Sequence, residues 1–167
     1  KGLRELVDAF RIVNRRLPES RLWLVGEGPY REQLYDHIVQ SDMRGLVLLP
    51  GAFDFIDEVL AAANVFVLPS YEEGMSLSLL EAMAAQLPVV ATSIPGNLHI
   101  VNDDENGLLV PPRTVEPLAA AILRLLDSAE LADRLSQAAS QFSRANYSSR
   151  RMAADHLALF ERLLSSQ

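Results

Sequence analysis

Short apolar runs alternate with stretches of helical periodicity along almost the whole 167-residue chain. The runs are LWLV (22–25), LVLL (46–49), VFVLPS (65–70), VVAT (89–92) and LLV (108–110). None alternates with polar residues, which is the pattern of strands covered on both faces of a parallel sheet. Between them lie helical faces. Leu3, Leu6, Val7, Phe10, Val13 and Leu17 form the first, which Pro18 ends. Pro29 is placed in the first turn of the next helix, whose face is Leu34, Tyr35, Ile38 and Val39. Ile56, Val59, Leu60 and Ala63 make a third, and the stretch after EEGMS continues as a helix to about residue 86. PGN (95–97) and DDENG (103–107) read as turns. From Val115 onward the pattern is helical, through Leu118, Ile122, Leu131, Leu135, Met152 and Phe160. Strand and helix in alternation predict an α/β domain, a parallel sheet with helices on both faces. The helices after Val115 exceed what one strand–helix unit needs. They are expected to pack across the sheet or to reach toward a further domain.

Composition limits what such a domain can do. With 49% apolar and 22% charged residues, the chain can bury a core as one domain, residues 1–167. It has no cysteine, which excludes disulfides and thiolate chemistry and points to a reducing, cytoplasmic setting. No apolar run approaches the ~20 residues of a membrane span. The net charge of −7 and the lack of a basic stripe argue against a nucleic-acid partner. An anionic ligand must then be held by local devices, a lysine or a helix N-terminus. The chain opens on Lys1-Gly2 without methionine, so a longer parent protein is expected.

In open parallel sheets, ligands bind beyond the carboxyl ends of the strands. Three stretches fall there: GEGP after the first run, PGAF after the second, and PSYEEGMS after the third. GEGP holds a G-x-G, but Arg31 occupies the place of the third glycine in a dinucleotide fingerprint. A tight strand-to-helix turn is the simpler reading. The segment EEGMSLSLLE is richer. Gly74 permits a sharp turn or a close backbone approach. The following residues open a helix, whose free N–H groups suit an anion. Glu73 stands just before that helix and Glu81 about one turn into it, so the two reach different parts of a ligand and do not form a touching acid/base dyad. A structural reading competes: Ser78-x-x-Glu81 is a capping-box pattern. His37, His99 and His156 are too scattered for a metal cluster, and Asp103 to Glu105 read as a solvated turn. Met75 and Met83 read as packing residues.

KGLRELVDAF, LWLVGEGP, VFVLPSYEEGMSLSLLEAMAAQLPVVAT and NGLLVPP, in that order, resemble the donor-binding C-terminal domain of group 1 retaining glycosyltransferases of the GT-B fold. The most specific part is a glutamate, seven residues and a second glutamate, set between P-S and P-V-V-A-T. The resemblance implies a Rossmann-like domain, one half of a two-domain enzyme with a cleft between the halves. It implies that Glu81 holds the ribose hydroxyls and that Glu73, the catalytic candidate, meets the donor sugar. Gly74, Met75, Ser76 and Leu77 would offer backbone N–H groups to the sugar and diphosphate. Lys1 would neutralise the diphosphate. Phe53 matches the position whose backbone meets the nucleobase, and Gly26 and Gly28 would flank the cleft.

The same resemblance implies a nucleotide-diphosphate sugar, with UDP or GDP as the nucleotide, as substrate and neither a metal nor another cofactor. Acceptors would be a glycan, a lipid-linked glycan or a small molecule, bound by an N-terminal domain. It leaves room for peripheral association with the inner face of a membrane. The family's first strand and its phosphate-binding arginine precede the K-G pair, so the isolated chain is expected not to catalyse transfer. Met75-Ser76 stands where the family usually has Phe-Gly, and His99 where it has glutamate. A nucleotide-sugar epimerase or sugar phosphorylase on the same half-fold, and a non-catalytic nucleotide- or partner-binding paralogue, are the rival readings.

Overall fold

The computed structural model describes residues 1–165. The elements are α1 (Leu3–Arg16), β1 (Leu22–Val25), α2 (Arg31–Gln40), β2 (Val47–Gly51), α3 (Ile56–Ala61), β3 (Phe66–Leu68), α4 (Leu77–Ala84), β4 (Val89–Thr92), α5 (Pro95–Leu98), β5 (Leu108–Val110), α6 (Glu116–Asp127), α7 (Ala129–Asn146) and α8 (Ser149–Ser165). The architecture is the expected one: parallel strands flanked by helices.

The strands form two ladders and not one continuous sheet. β1 pairs with β2, and β3, β4 and β5 pair in that order, while no ladder joins β1 to β3. One apolar core nevertheless spans both. Leu24 and Val47 from the first ladder share a buried cluster with Val90, Leu108 and Val110 from the second. α1 brings Leu6, Val7, Phe10 and Val13 to this cluster, and α6 brings Leu118, Ile122 and Leu125. β4 is buried along its whole length, which is why its run carries no alternation.

A second cluster lies under α4. Leu79, Leu80, Ala82 and Met83 pack with Leu68, Val89, Ala91, Ile100 and Ala139. α7 closes over it with small residues. Ser143 Oγ donates to the Leu80 carbonyl at 3.2 Å, and Ser140 Oγ to the Ala84 carbonyl at 3.4 Å. The Ala84 carbonyl lies in the last turn of α4, whose carbonyls lack helical N–H donors. Ser128 both ends α6 and caps α7, its Oγ accepting from the Leu131 N–H at 3.2 Å.

Four local expectations need correction. PGN is not a plain turn but the start of the four-residue helix α5, with Pro95 at the first helical position, where its missing N–H costs nothing. Pro29 stands two residues before α2, which begins at Arg31. β3 is shorter than its apolar run, ending before Pro69. The serine that caps α4 is Ser76, not Ser78: Ser76 Oγ accepts from Leu79 N–H. The tail divides. α6 and α7 pack against the domain, while α8 buries none of its described residues.

Candidate functional site

Two loops at strand carboxyl ends, together with the chain start, assemble around Glu73. Lys1 and Gly2 lie against the end of β3, so close that a Cβ on Gly2 would stand 2.0 Å from the Pro69 carbonyl oxygen. This approach brings Lys1 Nζ to Glu73 Oε1, at 2.6 Å. Ser70 Oγ donates to the same oxygen at 2.7 Å. Both donors therefore converge on Oε1, and Oε2 is left for other partners. The Glu73 side chain retains 15% of its exposure, enough to meet a ligand from one side. Burial pushes its carboxyl up, but the hydrogen bonds from Lys1 and Ser70 and the lysine charge outweigh that and hold it below the ordinary glutamate range.

Behind Glu73 the structure places residues that the sequence reading passed over. Thr92 Oγ1 donates to the Ser70 carbonyl, and Asn97 Nδ2 donates to the Thr92 carbonyl at 2.9 Å. Gly96 sits against the Glu73–Gly74 backbone, where a Cβ would stand 2.2 Å from the Glu73 carbonyl oxygen. Tyr71 braces the other side. Its hydroxyl donates to Glu5, and the Arg113 guanidinium lies 4.5 Å over its ring. Burial and the Glu5 carboxylate push the Tyr71 hydroxyl pKa up. The available signal for this shell was Thr92, a hydroxyl at the end of a strand otherwise made of Val and Ala.

α4 begins four residues after Glu73. Its Leu79 and Leu80 N–H groups are taken by Ser76 Oγ and the Ser76 carbonyl. The N–H groups of Leu77 and Ser78 keep no acceptor among the described residues. Both residues are exposed, and these N–H groups lie at the positive end of the helix dipole. Leu77, Ser78 and Glu81 form the exposed stripe of α4, while Leu79, Leu80, Ala82 and Met83 are buried. Side chains on a helix lean toward its N-terminus, so Glu81 covers the turn that starts at Leu77. Glu81 is exposed, and its side chain makes no hydrogen bond or ion pair among the described residues. It is the fifth residue of α4, beyond the first turn, so neither a capping box nor the dipole accounts for it.

Met75 corrects one expectation: it is 56% exposed at the mouth of this site, whereas Met83 is fully buried. His99 is exposed at the end of α5, and its carbonyl accepts from the Tyr147 hydroxyl.

The GEGP and PGAF loops form a separate group. Gly26 N–H donates to the Gly51 carbonyl at 2.8 Å, and Arg31 donates to the Leu49 carbonyl at 2.6 Å. Gly26 has φ +122°, a conformation open to glycine, and neither Gly26 nor Gly28 has a neighbour within 4 Å of an added Cβ. Phe53 is exposed in the second loop. These residues share no hydrogen bond or ion pair with the group around Glu73. No cluster of metal-ligating side chains occurs among the described residues. No described helix is long and apolar enough to cross a membrane.

The family model described as glycosyl transferases group 1 matches residues 1–128. The chain is 31% identical over 150 residues to alpha-D-kanosaminyltransferase of Streptomyces kanamyceticus, covering 89% of this chain and 39% of that protein. Among solved structures it is similar to S. aureus TarM in a complex containing UDP, at 26% identity and a TM-score of 0.89, covering 96% of this chain and 33% of that one. It is also similar to the C-terminal domain of a group 1 family protein from Francisella tularensis, at 25% identity and a TM-score of 0.79, covering 89% of this chain and 80% of that one. The chain thus spans well under half the length of the curated relatives it matches first.

Proposed function

The chain belongs to the group 1 glycosyl transferases and carries one half of the GT-B fold, and from that premise we propose that it is the donor-binding domain of a retaining glycosyltransferase. The donor is a nucleotide-diphosphate sugar. The observation that carries the reading is Glu81, an exposed carboxylate on the outer stripe of α4, with no structural partner, one turn beyond two unclaimed N–H groups.

Each part has a chemical task. Two adjacent ribose hydroxyls are donors in a fixed geometry, and one carboxylate accepts both. Glu81 does this. The N–H groups of Leu77 and Ser78 and the Lys1 ammonium meet the diphosphate. That group gains negative charge as the glycosidic bond breaks, and these donors stabilise it without a metal. Each contributes ~3 kcal/mol, by analogy with oxyanion sites. Glu73 turns its unclaimed oxygen to hydroxyls of the sugar. The glutamates have separate tasks and are not a proton-passing pair. Gly26, Gly28 and Phe53 flank the nucleobase side. The acceptor, whether glycan, lipid-linked glycan or small glycoside, is bound by the remainder of a longer protein. That protein works at or near the cytoplasmic face of a membrane.

The test is calorimetric titration with UDP, GDP, ADP and their sugars, wild type beside Glu81→Ala. One nucleotide series should bind and should lose its affinity in the variant. Absence of binding by the full-length protein to every series would sink the proposal.

A further inference from the structure

Three buried polar side chains, joined through two backbone carbonyls, lead to Glu73. Asn97 Nδ2 donates to the Thr92 carbonyl at 2.9 Å and lies 3.4 Å from Thr92 Oγ1. Thr92 Oγ1 spends its one proton on the Ser70 carbonyl. Ser70 Oγ spends its own on Glu73 Oε1, at 2.7 Å. Ser70, Thr92 and Asn97 are all buried, in a region otherwise filled by Leu68, Val89, Ala91 and Ile100. Buried hydroxyls and amides are costly unless each finds a partner. Asn97 Oδ1 in fact finds none. A valine at 92 would fill the same space but would leave the buried Ser70 carbonyl without this donor. The line ends on a charge: Asn97 holds the Thr92 backbone, Thr92 holds the Ser70 backbone, and Ser70 Oγ, so placed, fixes a carboxylate.

We infer that Asn97, Thr92 and Ser70 are positioning residues that hold Oε1 of Glu73 so that Oε2 meets the donor sugar, making α5 and the end of β4 a support of the sugar subsite. The inference rests on the donor reading of Glu73. Lys1 also holds Oε1, but it is exposed and is the group assigned to the diphosphate. When the diphosphate draws Lys1 away, Ser70 becomes the donor that keeps the carboxylate in place. The line thus matters for the sugar and not for the nucleotide, which meets Glu81 and the start of α4.

The experiment compares affinities of the full-length protein for a nucleotide and its sugar. The probe pairs are UDP and UDP-glucose, GDP and GDP-mannose, and ADP and ADP-glucose; the pair with the tightest wild-type binding is followed. The variants are Ser70→Ala, Thr92→Val, Thr92→Ser and Glu73→Gln. Ser70→Ala and Thr92→Val should each weaken the sugar nucleotide roughly tenfold, the scale of one lost hydrogen bond to a charged group. Affinity for the bare nucleotide should stay within about twofold, and Thr92→Ser should restore the sugar preference. A structural role would lower both affinities together. That result overturns the inference, as does an unchanged preference in Ser70→Ala and Thr92→Val while Glu73→Gln loses it. A wild type without preference, or Glu73→Gln without effect, overturns the sugar assignment of Glu73 and the inference with it. Thr92→Val keeps the side-chain shape, so it reads the hydroxyl even if Ser70→Ala folds poorly.

Discussion

Replacing Gly96 by alanine should damage the site from outside it. A Cβ at this position would stand 2.2 Å from the Glu73 carbonyl oxygen, 2.6 Å from that of Gly74 and 2.8 Å from the Glu73 carbonyl carbon. All three are backbone atoms, so no side chain can swing away. Ordinary contact needs ~3.5 Å, and one segment must therefore retreat by roughly 1 Å. The Glu73–Gly74 segment is tied on both sides. Ser70 holds the Glu73 carboxylate, and the Ser76 cap fixes the start of α4. α5 is held in turn by the Asn97 bond to Thr92. Overpacking of this kind costs ~1–3 kcal/mol of stability. For a chain of this size that is a fall in Tm of about 2–4 °C per kcal/mol. The proposed sugar contact suffers more, because a displacement of about 1 Å can cost ~100-fold in a positioned reaction. Scanning calorimetry and titration with the sugar nucleotide read the two effects. Gly74→Ala is the control for stability, since an added Cβ there meets nothing within 4 Å. A Gly96→Ala protein that melts and binds like wild type would refute the reasoning.

Leu79→Ala opens a cavity in the fully buried cluster under α4 and should cost ~2–5 kcal/mol by denaturant unfolding. Glu73 should give a pH signature in stability. Its folded pKa lies below the ordinary 4.5, so its contribution is complete above that value and is lost as pH falls through the lowered folded value. The Tm difference between wild type and Glu73→Gln should therefore shrink only on the acid side of 4.5. Truncation after Ser148 removes α8, which buries none of its described residues, and should leave the Tm of the chain within about 2 °C.

The strands were legible because burial on both faces leaves a bare apolar run, and LWLV and VVAT match β1 and β4 residue for residue. Glu81 was legible as a residue but not as an unpartnered one. Ser78 offered a capping pattern, and only the helix start at Leu77 shows that Ser76 takes the cap. PGN misled because proline and glycine mark turns as readily as first helical positions. Gly96 needs its lack of a side chain for a reason 22 residues away in sequence, the Gly74 carbonyl. The support behind Glu73 was hidden in the same manner, since Thr92 meets Ser70 across 22 positions and Lys1 meets Glu73 across 72. Periodicity reports burial; it does not report which buried hydroxyl faces which carbonyl.

A surface depression of about 690 Å³, lined by Arg31, Tyr35, Arg44 and Leu48, lies between α2 and β2, away from Glu73 and Glu81. It makes the decisive measurement simple. Backbone amide resonances of the chain should be followed while the sugar nucleotide is added. The account predicts saturable shifts at residues 73–78, at Glu81 and at Gly96. Shifts centred on Arg31, Tyr35 and Arg44, with Leu77, Ser78 and Glu81 unmoved, would contradict it.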